Sequence, residues 1–358
     1  MRSSSGASRW AAGSTAFSCG GPWARGGRSA KLPSAPIPRN RMRALLPFAL
    51  MLTVATLLPG QRRRRDLSPT EMRNFTYAEK EFDSAAVARR MPYGVFLPKG
   101  YDDAENRDRR YPLIIWLHGM WEDHNRFYTR GGAVELDQAV SDGKLPPCVF
   151  VTANGGRSSM YVNRDKQRWE DLISKDLLAH VTATYRVSPR REQRAIMGVS
   201  MGGMGALRIA FTHPNLFGAV AVHSSAVFAE DPDDLPPRLK QFASRLGLDE
   251  VFGDPIRKKP WQKANPLCIA QAAKVADLRR LRIYFDAGSK DRYGFAVGNG
   301  LLHECLDKRK VEHTWRLIEG GGHSWGNRFQ HETLPYSFAF VGRMFRSADK
   351  RQKGRQHR

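Results

Sequence analysis

The stretch RAIMGVSMGGMGALRIAFTH, residues 194–213, decides the fold of this 358-residue chain. Its first half is a short apolar run, typical of a strand buried on both faces of a sheet. Its second half has the spacing of a helix, and the five residues GVSMG, 198–202, lie at the turn between them. A G-x-S-x-G sequence in this position lifts the serine hydroxyl above the sheet, and glycines keep the neighbouring backbone clear. The pattern predicts a nucleophile elbow with Ser200 as the nucleophile.

Predicted strands and helices alternate on both sides of this elbow. Alternation of this kind predicts an α/β fold with a mainly parallel central sheet and helices on both faces. The elbow within it is typical of the α/β-hydrolase fold. Residues 229–280 are rich in proline and polar residues, and we expect them to form an insertion beside the carboxyl edge of the sheet. The predicted strands cover 74–82, 93–98, 111–119, 146–155, 194–200, 217–225, 281–288 and 313–320, and the predicted helices 170–185, 201–213, 294–309 and 328–346.

A serine hydroxyl is a poor nucleophile near neutral pH, so it needs a base and an acid that orients the base. In this fold the acid and the histidine follow the serine in that order. His323 follows a predicted strand, inside the glycine-rich segment EGGGHSW, and is the predicted base. Asp291 lies in the turn after the strand 281–288 and is the predicted acid. Asp286, at the end of the same strand, is the alternative.

Acyl transfer also needs two backbone N–H groups that bind the oxyanion of the tetrahedral intermediate. We expect one from Met201, which follows the nucleophile at the positive end of the helix dipole. We expect the other from Met120, in the loop after the strand YPLIIWLHG, 111–119. His118, at the end of that strand, is interpreted as a residue that fixes the loop and not as the catalytic base.

Three aromatic residues are candidate substrate contacts. Trp121 and Trp325 flank the oxyanion loop and the histidine loop, and Tyr161 follows a predicted strand at the same edge of the sheet. Aromatic faces at these positions suit an apolar acyl group or a sugar. Ordinary packing is the alternative for each of them.

The formal net charge of +23 is concentrated at the two ends of the chain. Residues 1–65 hold 12 basic residues and no acid, residues 343–358 hold 7 basic residues and one acid, and residues 66–342 carry only +5. A nucleic-acid binder requires a basic cluster on a recognisable module, and the sequence shows no such module. We therefore expect arginine-rich tails and no nucleic-acid partner, with contact between the tails and anionic polymers or membranes as the alternative.

The domain organisation follows from composition. We expect a disordered basic leader over 1–65, a catalytic domain over 66–345 and a disordered basic tail over 346–358. The leader contains a signal-like apolar run, 44–58, after a basic segment. If 42–60 is a signal peptide, the protein is exported to the periplasm or the extracellular space. A short N-terminal anchor and an organellar transit peptide are the alternatives, because the run is followed by four arginines and no clear cleavage site. The transit peptide is an alternative also because residues 1–65 are rich in arginine and contain no acid.

Several classes of protein are excluded by the same composition. No apolar run reaches the roughly 20 residues of a membrane-spanning helix, so we expect no stable membrane insertion beyond a signal or anchor. The four cysteines lie far apart and form no C-x-x-C pair, which argues against a disulfide scaffold and against a structural zinc site. We expect no metal and no organic cofactor.

Taken together, the motifs resemble the esterase-D-like branch of the α/β-hydrolases, which includes feruloyl and acetyl-xylan esterases, S-formylglutathione hydrolase and the antigen 85 mycolyltransferases. The resemblance covers roughly residues 75–345. It implies Ser200 as nucleophile, Asp291 as acid, His323 as base, and Met120 and Met201 as oxyanion donors. It rests on five motifs in the order of the family, LHGM (117–120), GVSMGGMGAL (198–207), HPNLFGAVAVHS (213–224), DAGSKD (286–291) and GGHSW (321–325).

The sequence therefore predicts a serine esterase that hydrolyses carboxylic esters through an acyl-enzyme. The expected substrate is a small-molecule ester or an acyl group linked to a polysaccharide. An acyltransferase or a peptidase on the same fold is an alternative, since the same triad serves all three reactions. A non-catalytic module that binds a polysaccharide or an anionic surface is a further alternative, and the complete set of triad residues argues against it.

Overall fold

The structure is a computed structural model that describes residues 68–69, 71–241, 243–323 and 329–356. The expected leader, its apolar run 44–58 and the candidate substrate contact Trp325 lie outside these residues. None of the helices in the described ranges is both long and apolar enough to cross a membrane.

A central sheet of eight strands organises the described part of the chain, with the strand order β1-β2-β4-β3-β7-β8-β9-β10. β1 and β2 run antiparallel to their neighbours, and the six strands from β4 to β10 in this order run parallel. A separate two-stranded hairpin is formed by β5 and β6. The strands are β1 Phe75–Ser84, β2 Arg89–Pro98, β3 Leu113–Leu117, β4 Val149–Ala153, β5 Asn163–Arg164, β6 Gln167–Arg168, β7 Arg194–Val199, β8 Ala219–His223, β9 Arg282–Gly288 and β10 Thr314–Ile318.

Helices fill the connections between the strands. A π-helical segment, Leu172–Leu177, joins α3 to α4 without a break, so that the predicted helix 170–185 is one continuous element. The helices are α1 Arg126–Thr129, α2 Gly132–Ser141, α3 Trp169–Asp171, α4 Leu178–Thr184, α5 Met201–Thr212, α6 Pro237–Gln241, α7 Leu248–Phe252, α8 Lys258–Ala264, α9 Pro266–Ala272, α10 Val275–Leu278, α11 Phe295–Lys308 and α12 Phe329–Gln356.

The hydrophobic core has two layers, one on each face of the sheet. All five residues of β3 are buried, because successive side chains of a strand point to opposite faces and both faces are covered. Ile115 packs in the layer beneath α5, α9 and α11, and its neighbour Trp116 packs in the layer beneath α1, α2 and α12. The predicted α/β-hydrolase architecture, with a mainly parallel sheet and helices on both faces, is confirmed.

Two segments differ in detail from the expectation. Residues 229–280 form the expected insertion, and it is built from the short helices α6 to α10. The expected disordered tail is wrong for residues 346–356, because α12 continues to Gln356. The side chains of Arg190 and Gln193 bind the Asp349 carboxylate at 3.0 and 2.8 Å, and these contacts hold the last turns of α12 against the segment before β7.

Candidate active site

Ser200 occupies a strained turn between β7 and α5. Its φ of 56° and ψ of −118° lie in a backbone region that residues other than glycine rarely adopt. The backbone N–H of Ser200 donates to the carbonyl of His223 at 2.9 Å, which ties the turn to the neighbouring strand β8. A Cβ atom on Gly202 would lie only 2.1 Å from the carbonyl oxygen of Leu117. Glycine is therefore required at this position, because β3 and α5 approach too closely for any side chain.

His323 joins Ser200 to Asp291 in one line of hydrogen bonds. Nε2 of His323 lies 3.1 Å from Oγ of Ser200, and Nδ1 lies 2.8 Å from Oδ2 of Asp291. The Asp291 side chain is fully buried, and its other oxygen accepts the backbone N–H of Tyr293 at 2.8 Å. The rings of Tyr293 and Phe295 meet the imidazole edge to face. With the Nδ1 proton directed at Asp291, the Nε2 lone pair faces the serine hydroxyl.

Asp286, the alternative acid, binds a different histidine. Its Oδ2 accepts Nδ1–H of His223 and the hydroxyl of Tyr284, each at 2.8 Å. Nε2 of His223 lies 3.1 Å from Oγ of Ser337 in α12. All of these side chains are buried. The structure thus brings Asp291, and not Asp286, to His323.

The loop after β3 lies directly beside Ser200. A Cβ atom on Gly119 would lie 3.7 Å from Cβ of Ser200. Met120 and Met201 line the same cavity as Ser200 and His323. Within the described ranges, no hydrogen-bond acceptor is found for the backbone N–H of either methionine. Both N–H groups are thus available at the place where an oxyanion would form.

Sequence reasoning missed the residue that supports this loop. Glu122 is nearly buried, and its carboxylate accepts the backbone N–H of Gly119 at 3.1 Å and Nε of Arg126 at 3.1 Å. Trp121, between them, has a φ of 59° and donates its N–H to the carbonyl of Arg157 at 2.7 Å. The sequence signal for this role was the acid three residues after the glycine of LHGM. In a loop of this length a carboxylate can accept a hydrogen bond from a backbone N–H of the same loop.

His118 fixes the base of the oxyanion loop. Its Nδ1–H donates to the carbonyl of Gly119 at 2.7 Å, and its Nε2 accepts the N–H of Gly155 at 3.0 Å. Burial lowers the pKa of His118, and the residue is almost completely inaccessible to solvent. A neutral imidazole that uses both nitrogens in this way has no free position for proton transfer to a substrate.

The cavity above Ser200 has a volume of about 150 Å³. Trp121, which is 47% exposed, lines this cavity, and its contact with a substrate stays a prediction. The insertion contributes three leucines to the wall, which the sequence did not single out. The apolar side chains of the lining include Met160, Phe228, Leu239, Leu246, Leu248 and Phe295.

The expectation that Tyr161 contacts the substrate is wrong. Its side chain is fully buried, and its hydroxyl donates to the carbonyl of His118 at 3.3 Å. The ring packs against Gly155 and Gly205, where any added Cβ would collide with it. The positive φ values of Met160 and Tyr161, 51° and 52°, turn this segment inward beneath the site.

Comparison with known proteins identifies the family of this chain. The model of the Esterase family matches residues 84–337. The chain belongs to this family. An esterase of Mycobacterium tuberculosis is 27% identical over 259 residues, which cover 67% of this chain and 54% of the relative. An endo-1,4-beta-xylanase/feruloyl esterase of Xylanibacter ruminicola is 24% identical over 183 residues, which cover 49% of this chain and 24% of the relative.

Solved structures show the same fold. A ferulic acid esterase superposes with a TM-score of 0.63 at 25% identity, covering 76% of this chain and all of its own length. An S-formylglutathione hydrolase from Agrobacterium tumefaciens superposes with a TM-score of 0.62 at 16% identity, covering 79% of this chain and all of its own length. The chain spans about half the length of the M. tuberculosis relative.

Proposed function

We propose that this chain is a serine esterase that hydrolyses carboxylic esters through an acyl-enzyme on Ser200. The observation that carries the proposal is the position of His323, within hydrogen-bond distance of both Ser200 and Asp291 at the wall of an open cavity. Membership of the Esterase family supports the same reaction class.

The first half of the reaction follows from these contacts. Oγ of Ser200 attacks the ester carbonyl carbon while Nε2 of His323 accepts the serine proton. Asp291 stabilises the imidazolium that forms and holds its orientation. The N–H groups of Met120 and Met201 bind the oxyanion, and losing one such donor generally lowers kcat by about 10²–10³-fold. His323 then protonates the leaving alcohol as the carbon–oxygen bond of the ester breaks, and the acyl group stays on Ser200.

Water completes the cycle. His323, again neutral, accepts a proton from a water molecule as its oxygen attacks the acyl carbon. The second tetrahedral intermediate uses the same two N–H groups. When it collapses, His323 returns the proton to Oγ of Ser200, and the carboxylic acid is released. Each step uses only side chains and backbone groups of this chain, and water.

The cavity favours a short apolar acyl group. Its volume of about 150 Å³ is below the range of about 300–1,000 Å³ that is usual for sites that enclose drug-sized ligands. Leucine and phenylalanine side chains line it, so the acyl group is the part of the ester that fits inside. The alcohol half then extends past the exposed Trp121, whose ring suits a sugar. The feruloyl esterase among the relatives supports a carbohydrate-linked ester as the substrate class.

The test is hydrolysis of an ester panel by the full chain, with Ser200→Ala as the matched control. The panel contains p-nitrophenyl acetate and butyrate, methyl ferulate, acetylated xylan and S-formylglutathione. We expect turnover on the acetyl and butyryl esters, loss of turnover in Ser200→Ala, and fluorophosphonate labelling of the unmodified chain only. A folded protein that is neither labelled nor active would overturn the proposal. Preferred transfer of the acyl group to an added alcohol would contradict hydrolysis and indicate an acyltransferase.

A further inference from the structure

A second and larger cavity lies at the opposite edge of the sheet. Because β7, β8, β9 and β10 are parallel, the residues before them meet at one edge, and Ser200, Asp291 and His323, which follow three of them, meet at the other. Strands of five to seven residues with a rise of about 3.3 Å separate the two edges by roughly 15–25 Å. This second cavity, which we call the basic cavity, has a volume of about 1010 Å³ and is closed on one side by α12.

Positive charge dominates the basic cavity. Seven of its lining residues are arginine or lysine, and two are glutamate. Both glutamates already have arginine partners, Glu192 with Arg191 at 3.4 Å and Glu312 with Arg282 at 3.1 Å. The lining therefore keeps a clear excess of cations after every carboxylate in it is paired.

Arg191 has a structural role in the wall of the basic cavity. The guanidinium of Arg191 is largely buried and donates to the backbone carbonyls of Pro214, Phe217 and Arg280. Burial, with a contribution from the charge of Arg280, lowers the pKa of Arg191. Arg191 thus holds the loops before β8 and β9 in place, in surroundings where a bound anion would relieve repulsion between cations.

Other cations are free to bind a ligand. The side chains of Arg280, Lys310 and Arg351 are exposed, and within the described part of the chain they have no hydrogen-bond or ion-pair partner. They come from three separate segments, the residues before β9, the residues before β10, and α12. Their convergence on one concavity is therefore a product of the fold and not of a local run of basic residues.

The geometry points to a polyanion with several closely spaced oxyanion groups as the ligand of the basic cavity. Guanidinium groups bind phosphate, sulfate and carboxylate through paired N–H donors. The volume lies at the upper end of the range of about 300–1,000 Å³ for ligand sites, so a single small anion would leave the cavity largely empty. The lining residues include no aromatic side chain on which nucleic-acid bases would stack. A phosphate chain and a sulfated glycan share the required chemistry.

Binding of two probes to the full chain tests this inference, which is independent of the proposed esterase. The probes are long-chain polyphosphate and heparin, titrated at several salt concentrations, with neutral dextran as the uncharged control. The variant Arg280→Gln/Arg351→Gln removes two free cations of the cavity. The matched control Arg73→Gln/Arg107→Gln removes the same charge from exposed positions outside it. Thermal unfolding of all three proteins shows whether they remain folded.

We expect saturable binding of at least one of the two polyanions. The one that binds more tightly shows whether the ligand is a phosphate chain or a sulfated glycan. The cavity variant should weaken that binding by about tenfold or more, and each lost contact should lower the salt slope by about one. The control variant should change the affinity by less than about twofold, because distant surface charges are screened. Equal losses in the two variants would show attraction by net charge alone and would overturn the inference. Tighter binding of single-stranded DNA than of either polyanion would overturn the assigned ligand class.

Discussion

The described part of the chain contains two Asp-His-Ser arrangements with the same hydrogen-bond lengths and different surroundings. In each, the histidine Nδ1 lies 2.8 Å from an aspartate oxygen, and Nε2 lies 3.1 Å from a serine hydroxyl. The line at the cavity is formed by Asp291, His323 and Ser200, and the buried line by Asp286, His223 and Ser337.

The two serines differ in access and in backbone conformation. Ser337 lies within α12 and is fully buried, and its hydroxyl donates to the Leu334 carbonyl at 3.0 Å. Ser200 lies at a strained turn, at the wall of a cavity and beside two available N–H groups. Hydrogen-bond distances alone therefore do not make a nucleophile. Access for an ester and donors for its oxyanion distinguish one line from the other.

The buried line also supports the backbone around Ser200 in the cavity line. It connects β8, β9 and α12 through His223, Asp286 and Ser337. The backbone carbonyl of His223 also accepts the N–H of Ser200. The buried line thus anchors β8, the strand to which the turn at Ser200 is hydrogen-bonded.

The largest difference between the two lines is expected when each loses its serine hydroxyl. Ser200→Ala should lower kcat by about 10⁵–10⁶-fold, since triad members act as a unit. Ser337→Ala should keep kcat within about threefold and lower the free energy of unfolding by about 1 kcal/mol through the lost buried hydrogen bond. Steady-state hydrolysis of p-nitrophenyl acetate and urea unfolding measure the two effects. Comparable activity of the two variants would contradict the assignment of Ser200.

Replacing each carboxylate by an amide is the second comparison. Asp291→Asn should lower kcat by about 10⁴-fold, because the amide no longer holds the His323 tautomer. Asp286→Asn should instead lower the free energy of unfolding by about 1–3 kcal/mol, since buried partners lose their acceptor, and should affect kcat much less. If Asp286→Asn inactivates a fully folded protein and Asp291→Asn does not, the two acids have been assigned the wrong way round.

Two glycine-to-alanine substitutions test the strained turn at Ser200, a feature that the buried line lacks. Gly202→Ala places a Cβ 2.1 Å from the Leu117 carbonyl oxygen, so α5 must shift. A shift of about 1 Å at a catalytic group lowers the rate by about 10²-fold. Gly300→Ala in α11 meets nothing within 4 Å and should leave kcat unchanged. Full activity of Gly202→Ala would show that the turn tolerates more movement than the contacts suggest.

The smallest effect is expected when Glu122, which supports the loop after β3, loses its charge. Glu122→Gln keeps the shape of the side chain and weakens the charge-assisted bond to the Gly119 N–H. We expect kcat to fall by about tenfold with little change in KM, because the loop acts on the transition state. The control is Glu71→Gln, at an exposed glutamate that is distant from Glu122 in sequence, and it should leave turnover unchanged. A change confined to KM would place Glu122 in substrate binding.

The residues of the cavity line could be predicted because each lies at a recognisable local pattern. Ser200 lies in a strand-turn-helix sequence, and Asp291 and His323 follow strands at the same edge of a parallel sheet. Asp286 lies within the strand that precedes Asp291, and only the packing of His223 against it shows which histidine it binds. Tyr161 was misjudged for a related reason, because a positive φ turns its side chain inward and no pattern reveals that rotation.

By itself, the sequence determined the order of strands and helices, the elbow and the three residue types of the triad, because these depend on contacts between near neighbours in the chain. The tertiary structure alone decided that Asp286 meets a second histidine, how the leucines of the insertion line the cavity above Ser200, and where the cations gather. Residues 66–342 carry a charge of only +5, yet their cations dominate the lining of one cavity. Counting along the chain cannot show this, because parallel strands bring together the starts of segments that are far apart in sequence.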